Sequence, residues 1–240
     1  MQHTEKQHTG FDMSNGMKGE NVKGMGKKVM LVDDHPIVRE AIAQLIEQDS
    51  SIKVCGWASN AAQAMSLLEK SKPDLAVVDI SLEGTNGIEL IKCMLSTSPD
   101  LPVLALSMHD ENLYAERVFR AGGKGYIMKQ AEPEDVMTAI RTVLQGKLYF
   151  SASIQTRMWE RMRTGAVQPQ KSPVEGLTDR ELEVFQLIGR GTKTSSIAEA
   201  LRISIKTVET YRSNIKEKLG LSNGTELVRH AVEWVKENET

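Results

Sequence analysis

The residues best suited to chemistry stand in a repeated place, just after short apolar runs. Asp33 and Asp34 follow "KVMLV", Asp79 follows "LAVV", Ser107 closes "PVLALS" and Lys129 closes "GYIMK". Continuous apolar runs of this length read as strands covered on both faces. A carboxylate at the end of such a strand is costly unless water, a partner or a metal receives it. If the first and third strands are neighbours, three carboxylates share one small volume. Unit charges about 4 Å apart there repel by several kcal/mol at protein-surface dielectric. A hard divalent cation relieves this, and Mg2+ takes oxygen ligands, keeps several waters and pairs with phosphate oxygens. No His or Cys joins the set, because His35 precedes Pro36 at a helix start and is expected to face outward, which argues against zinc.

Each residue alone has a plain structural account. Acids cap turns after strands, and Asp33 or Asp34 could cap the helix that begins at Pro36. Ser107 could be a turn residue, and a single Lys129 is most often a solvated surface lysine. The joint placement of a doublet acid, a lone acid, a small hydroxyl and a lysine at successive strand ends is what needs explaining.

The elements that must position them alternate over residues 28–146. Strand-like runs cover 28–32, 52–58, 75–79, 102–107 and 125–129. Helical spacing follows each one. Ile37, Ala41, Leu45 and Gln48 make the first helix's stripe, and the later helices cover 60–71, 87–98, 112–123 and 133–146. Five such units predict an α/β fold, a doubly wound five-stranded parallel sheet with helices on both faces and right-handed crossovers. Ligands of that fold bind outside the carboxyl ends of the strands, where these residues cluster.

The chain's 240 residues, 40% hydrophobic and 26% charged, are enough for two packed domains. A net charge of −2 gives no global sign of a nucleic-acid or membrane binder. Cys55 and Cys93 are too few for a disulfide framework and are expected to be small buried hydrophobes. No apolar run approaches the roughly 20 residues of a membrane span, and residues 1–26 lack the apolar core of a signal peptide. That polar, Gly- and Met-rich stretch is expected to be a disordered extension, and the protein to be cytoplasmic. Met13, Met17 and Met25 also leave open a later start of translation.

The pattern changes after residue 147. Residues 148–176 read as a linker with a short helix, on which Ile154, Met158 and Met162 make one apolar stripe. The segment 166–176 has Pro, Gln, Ser and Gly without periodicity, as flexible linkers do. Residues 177–240 are helical throughout, a second and smaller all-α domain. Thr178-x-x-Glu181 is a capping box, Thr194 is placed to cap the next helix, and Ser204 and Gly220 bound the third, 205–219. Ten basic residues balance ten acidic ones here, yet five basic residues against two acids crowd 202–218. Val208, Tyr211, Ile215 and Leu219 should face inward. Glu209, Thr210 and Ser213 then lie outward, where a recognition helix meets base edges, flanked by Lys206, Thr207, Arg212 and Lys216 for phosphates. A basic solvated face on a plain helical bundle is the competing account.

With those residues in place, the N-terminal part, 28–146, resembles the flavodoxin-like receiver domains of bacterial two-component response regulators. The resemblance implies that Asp79 accepts a phosphoryl group from a sensor histidine kinase. It also implies that Asp33, Asp34, Asp79 and the backbone carbonyl of Ser81 hold Mg2+, that Lys129 contacts the phosphoryl group, and that Ser107 and Tyr126 act as the switch pair. Gln130 stands where many receivers place proline. His109 and Ser81 lie where family members tune dephosphorylation. The segment "LTDRELEVFQLIGRGTKTSSIAEALRISIKTVETYRSNIKEKLGL" is similar to the four-helix DNA-binding domain of the NarL/FixJ–LuxR superfamily. Thr194 stands where Asn is usual, and Gly224 where a basic residue is common. This implies a double-stranded DNA operator, a homodimer when phosphorylated, and a dimer interface on the last helix at Leu227, Val228, Ala231 and Val235. Modification would shift dimerisation and expose the 205–219 helix. Three rivals remain. A phosphatase with an Asp nucleophile would want an acid at Ser81. A small-molecule sensor would want more than 5% aromatics. A tail that binds protein rather than DNA would lack a steep salt dependence.

Overall fold

The structure, a computed structural model, describes residues 26–82, 85–164 and 173–238. The expected extension over 1–25 and most of the 166–176 linker lie outside the described residues. The N-terminal part runs β1 (Lys27–Val32), α1 (Pro36–Glu47), β2 (Ile52–Ala58), α2 (Ala61–Ser71), β3 (Leu75–Asp79), the short strands β4 (Ser81–Leu82) and β5 (Thr85–Asn86), α3 (Gly87–Thr97), β6 (Val103–Ser107), α4 (Glu111–Arg120), β7 (Gly125–Met128) and α5 (Pro133–Leu144). Five strands form one parallel sheet in the order β2-β1-β3-β6-β7, as expected.

Alternation along each buried strand divides the core into two layers. Met30, Val32, Ala76, Val78, Val103 and Ala105 face one side, with Ile91, Met94 and Val118 of α3 and α4. Val29, Leu31, Leu75, Val77, Leu104 and Leu106 face the other, with Ile46 of α1 and Ile140 of α5. Each such side chain contributes about 1.5–3 kcal/mol by leaving water. Register then does the positioning. Val32 pairs with Val78, so Asp33 and Asp79 leave the sheet side by side. Ser107 pairs with Met128, so Lys129 emerges beside Ser107.

Some expectations need correction. Ile37 is 81% exposed, and α1 turns Val38, Ile42 and Ile46 to the sheet instead. Helix α1 carries two apolar stripes, and contact with the sheet chooses between them. Cys93 is exposed on α3, opposite the buried Leu90, Ile91 and Met94, while Cys55 is half-buried.

After α5 come α6 (Ala152–Thr164), a 3-10 turn at Pro173–Gly176, α7 (Asp179–Gly189), α8 (Thr194–Ala200), α9 (Ile205–Leu219) and α10 (Gly224–Asn238). Ile154 and Met158 of α6 are buried, and the side chain of Met162 lies outside what is described. The 3-10 turn ends the linker earlier than expected, because Val174 is buried in the helical domain's core. The Thr178–Glu181 capping box forms, and Ser204 caps α9 by accepting from the Thr207 N–H. Thr194 does not cap α8: Lys193 holds the cap position, without a side-chain bond, and Thr194 is the first helical residue. Gly191, at φ +76°, makes the left-handed stop after α7. Gly189 lies inside α7 and serves close approach to α10. A Cβ there would sit 2.4 Å from the Ala231 carbonyl oxygen and 2.5 Å from Val235 Cγ2. Gly189→Ala should therefore push α10 off α7 and cost about 2 kcal/mol, read as a lower Tm of the helical domain's unfolding transition.

Candidate functional site

The site is built at the carboxyl edge of the sheet, around the end of the central strand, β3. Lys129 Nζ lies 2.8 Å from Asp79 Oδ2 and 2.6 Å from Asp33 Oδ2. The Ser81 N–H donates to Asp79 Oδ1 at 3.1 Å. Asp79 is 1% exposed and Asp33 4% exposed. Burial raises the Asp79 carboxyl from 3.8 to about 6, aided by the negative charge of Asp33 and opposed by Lys129 and the Ser81 N–H. Lys129 is also lowered by burial, but Asp79 and Asp33 outweigh that and hold its ammonium above the usual range. Helix α3 starts hard against this loop. A Cβ on Gly87 would meet the Asp79 carbonyl oxygen at 2.0 Å, so glycine is what lets α3 begin there. That glycine was not among the expected site residues, and "TNG" before a helix is its sequence signal.

Asp33 and Asp34 do not cap α1. That helix has His35 at its N-cap and no side-chain capping bond. The His35 N–H donates to Asp33 Oδ1 at 2.8 Å, which folds the ring back over the acids. Its Nδ1 lies 2.8 Å from Asp34 Oδ1 and 3.2 Å from Asp33 Oδ1. His35 is exposed as expected, with 59% of its side chain open to solvent, but its Nδ1 turns to the acids, which corrects the expectation that no His joins the set. Donor atoms of Asp33, Asp34, His35 and Asp79 all lie within 4.8 Å of one another. Three carboxylates to one imidazole still make a hard, oxygen-rich set that fits Mg2+.

Ser107 is fully buried, and its Oγ accepts from the His109 N–H at 3.1 Å. Tyr126 is buried as well, and its hydroxyl donates to the His109 carbonyl at 2.7 Å. Burial, with nearby Asp110 and Asp79, pushes that phenol well above its usual range, against a bond to Ser107. The loop at His109 therefore hangs from both Ser107 and Tyr126.

Across this loop the helical domain docks. Tyr114 donates to Gln186 Oε1 at 2.9 Å. Arg117 Nη1 donates to Asp179 Oδ1 and to the Leu177 carbonyl, each at 2.9 Å. His109 stacks on Tyr114 with ring centroids 4.5 Å apart. On α7, Asp179, Glu183 and Gln186 recur at helical spacing, one polar face against α4. Arg202, in the tight turn before α9, reaches within 3.7 Å of Asp34. Sequence reasoning missed this interface, since pairing between domains leaves no spacing signal.

Helix α9 presents the expected faces. Val208 and Ile215 are fully buried, while Lys206, Glu209, Thr210 and Ser213 are exposed and Thr207, Arg212 and Lys216 half-buried. Arg212 Nε lies 3.6 Å from Glu209 Oε2. The outward face is thus open to solvent while α7 is docked, which corrects the expectation that modification must expose α9. On α10, Leu227 and Ala231 are fully buried within their own domain, so they are core residues and not free dimer surface. Val228, 40% exposed, and the half-buried Val235 keep some outward area.

A parallel doubly wound sheet with an acid–lysine cluster at its carboxyl edge, joined to a helix-turn-helix, defines a receiver-type domain coupled to a DNA-binding domain. Residues 29–141 match the response regulator receiver domain, and residues 175–231 match the luxR family of bacterial regulatory proteins. Response regulator UvrY of Escherichia coli is 34% identical over 206 residues, covering 85% of this chain and 93% of its own. Oxygen regulatory protein NreC of Staphylococcus epidermidis is 31% identical over 210 residues, covering 85% and 96%. RcsB of Salmonella enterica serovar Typhimurium, solved bound to the rprA promoter with the phosphomimetic BeF3−, aligns at 26% identity with a TM-score of 0.56, over 86% of this chain and 98% of that one. The chain belongs to the NarL/FixJ family of two-component response regulators, DNA-binding regulators of transcription.

The raised Asp79 carboxyl has a measurable consequence. The folded protein holds that proton more tightly than the unfolded chain, so this contribution to stability is complete below pH 3.8 and lost as pH rises through about 6. Above that, the ionised carboxylate is a cost. Without divalent ions, Asp79→Asn should raise stability by about 1–3 kcal/mol near pH 7.5, and the gain should vanish near pH 4, as read by denaturant unfolding.

Proposed function

We propose that the protein is a phosphorylation-dependent transcription regulator whose Asp79 accepts a phosphoryl group from a sensor histidine kinase. The observation that carries this is the buried Lys129 ammonium bridging Asp33 and Asp79 at adjacent strand ends. An Asp79 carboxylate oxygen forms a new P–O bond as the P–N bond of a phosphohistidine breaks, and the electron pair leaves on the imidazole nitrogen, which takes a proton. Lys129, already held beside Asp79, balances negative charge that develops on the phosphoryl oxygens. The buried Ser107 hydroxyl, one strand away, is placed to donate to a phosphoryl oxygen, and Tyr126 follows through the shared His109 loop. Asp33, Asp34, Asp79 and the Ser81 carbonyl would hold Mg2+, with His35 at the rim. Bound there, Mg2+ supplies positive charge to the transferring group.

Output passes through the docked α7. Its contacts with the receiver combine buried polar pairs with apolar packing, and the polar pairs suit an interface that opens and closes. Release would free each helical domain to pair with a second copy, through the outward side of α10, on a two-half-site operator in the cytoplasm. Lys206 and Lys216 are phosphate contacts in this reading, and Glu209, Thr210 and Ser213 read bases.

Incubation with acetyl phosphate and Mg2+ should add one phosphoryl group to wild type and none to Asp79→Asn, by intact-protein mass. Equal labelling of both would remove Asp79 from the scheme. In duplex binding, Lys206→Ala and Lys216→Ala should each weaken affinity across all sequences and reduce the salt slope by about 1. Glu209→Ala should instead relax preference at one base pair, by about 1–3 kcal/mol. A tail whose binding ignores salt would refute the DNA-contact assignments.

A further inference from the structure

We infer that Glu183, a residue of the DNA-binding domain, is the group through which that domain reads the state of Asp79. This rests on the reading that Asp79 is the phosphoryl acceptor. Glu183 is 4% exposed, on the α7 face turned toward the receiver. Its Oε1 lies 3.8 Å from His109 Nε2. The Ser81 Oγ is also 2.8 Å from His109 Nε2. The same Ser81 donates its backbone N–H to Asp79 Oδ1. Ser81 and His109 therefore link the acceptor carboxylate to a buried carboxylate of the other domain.

Two other contacts between the domains lack this property. Tyr114–Gln186 is neutral, and Arg117–Asp179 joins opposite charges. Neither includes an atom of the Asp79 site. The remaining oxygen of Glu183 is matched inside its own helix, where Arg180 Nη1 lies 2.7 Å from Oε2. On the receiver side, His109, itself held by Ser81, faces the carboxylate.

A phosphoryl group on Asp79 adds negative charge and strong acceptor oxygens beside Ser81. A serine hydroxyl has one proton to donate. When a phosphoryl oxygen takes it, Ser81 no longer holds the His109 ring against Glu183, and Glu183 faces like charge while still buried. A buried carboxylate deprived of its partner strongly disfavours the state that buries it. Undocking of α7 returns Glu183 to water and relieves the conflict. Coupling of this kind is reciprocal, so docking opposes phosphorylation by the same factor by which phosphorylation opposes docking. Arg202 near Asp34 touches the other side of the site, and Mg2+ alone would compete with that contact.

The experiment measures the distance between labels on the two domains of the full chain, with no addition, with Mg2+, and with Mg2+ plus beryllofluoride. In wild type, beryllofluoride should shift the docking equilibrium by about tenfold or more. Glu183→Gln keeps the shape and removes the charge, and its shift should fall below about threefold. Glu183→Asp should recover most of the wild-type response, which separates lost charge from damaged packing. Tyr114→Phe should loosen docking equally with and without beryllofluoride, leaving the ratio unchanged. An undiminished response in Glu183→Gln, with phosphoryl uptake from acetyl phosphate equal to wild type, overturns the inference. So does full opening by Mg2+ alone, which would assign the switch to the Arg202–Asp34 contact. Failure of wild type itself to take up a phosphoryl group overturns the Asp79 assignment and the role of Glu183 with it.

Discussion

One buried ammonium sets the terms for the whole carboxyl edge of the sheet. Lys129 serves two carboxylates at once, while a third, Asp34, lies in the same cluster. Three negative groups against one lysine leave the site short of positive charge. The strands cannot move apart to dilute it, because the Val32–Val78 pairing fixes Asp33 beside Asp79 within a close-packed core. Burial weighs most on Asp79, and with Asp33 beside it outweighs Lys129, so its carboxyl holds its proton up to about pH 6. A proton, a divalent cation or a cationic side chain can each make up the difference. The site is therefore built to respond to whatever arrives there.

The docked helix uses its two sides differently. Leu182, Phe185 and Ile188 face the helical domain's own core, where Phe185 packs edge-on against Trp234 at 5.7 Å. Asp179, Glu183 and Gln186 face the receiver, and Glu181 is held by Lys218 at 2.6 Å. Burial raises the Glu181 carboxyl, but Lys218 and Thr178 outweigh it and hold it below its usual range. Burial dominates at Glu183, whose carboxyl stays above its usual range. The apolar cluster of Leu182, Phe185 and Ile188 continues into the receiver at Tyr114 and Ala115, so docking combines shared apolar packing with polar groups matched one to one.

The sheet is legible in the sequence because a continuous apolar run ending in an acid fits a buried strand whose end meets solvent or a cation, and fits little else. The register that joins Asp33 to Asp79 follows from the doubly wound order. Choices between equivalent helix faces are not legible. Ile37 and Ala41 are spaced as well as Val38 and Ile42, and only the sheet decides which pair is inside. Leu227 and Ala231 look surplus in a helical period because that period does not reveal the close approach allowed by Gly189. His35 reads as separate from the acids because a side chain preceding proline gives no sign of the turn that the Asp33 carboxylate makes with its N–H. The α7 interface escapes notice for the same reason in stronger form. Its acids resemble an ordinary solvated face until a second domain is laid on them.

The open outward face of α9 bears on how control is exerted. If docking hid the base-reading residues, release alone would be enough for binding. Here Lys206, Glu209, Thr210 and Ser213 are exposed while α7 is held. On the proposed reading, the quantity under control is then the placement of two tails rather than the accessibility of one. Helix-turn-helix dimers read half-sites about 34–36 Å apart. A tail bound rigidly to its receiver meets that spacing only if the receivers pair at the right distance, whereas a released tail is freed from that constraint. Charge at Asp79 would act by trading a fixed geometry for an adjustable one, and that trade requires the docking contacts to be individually weak and collectively specific.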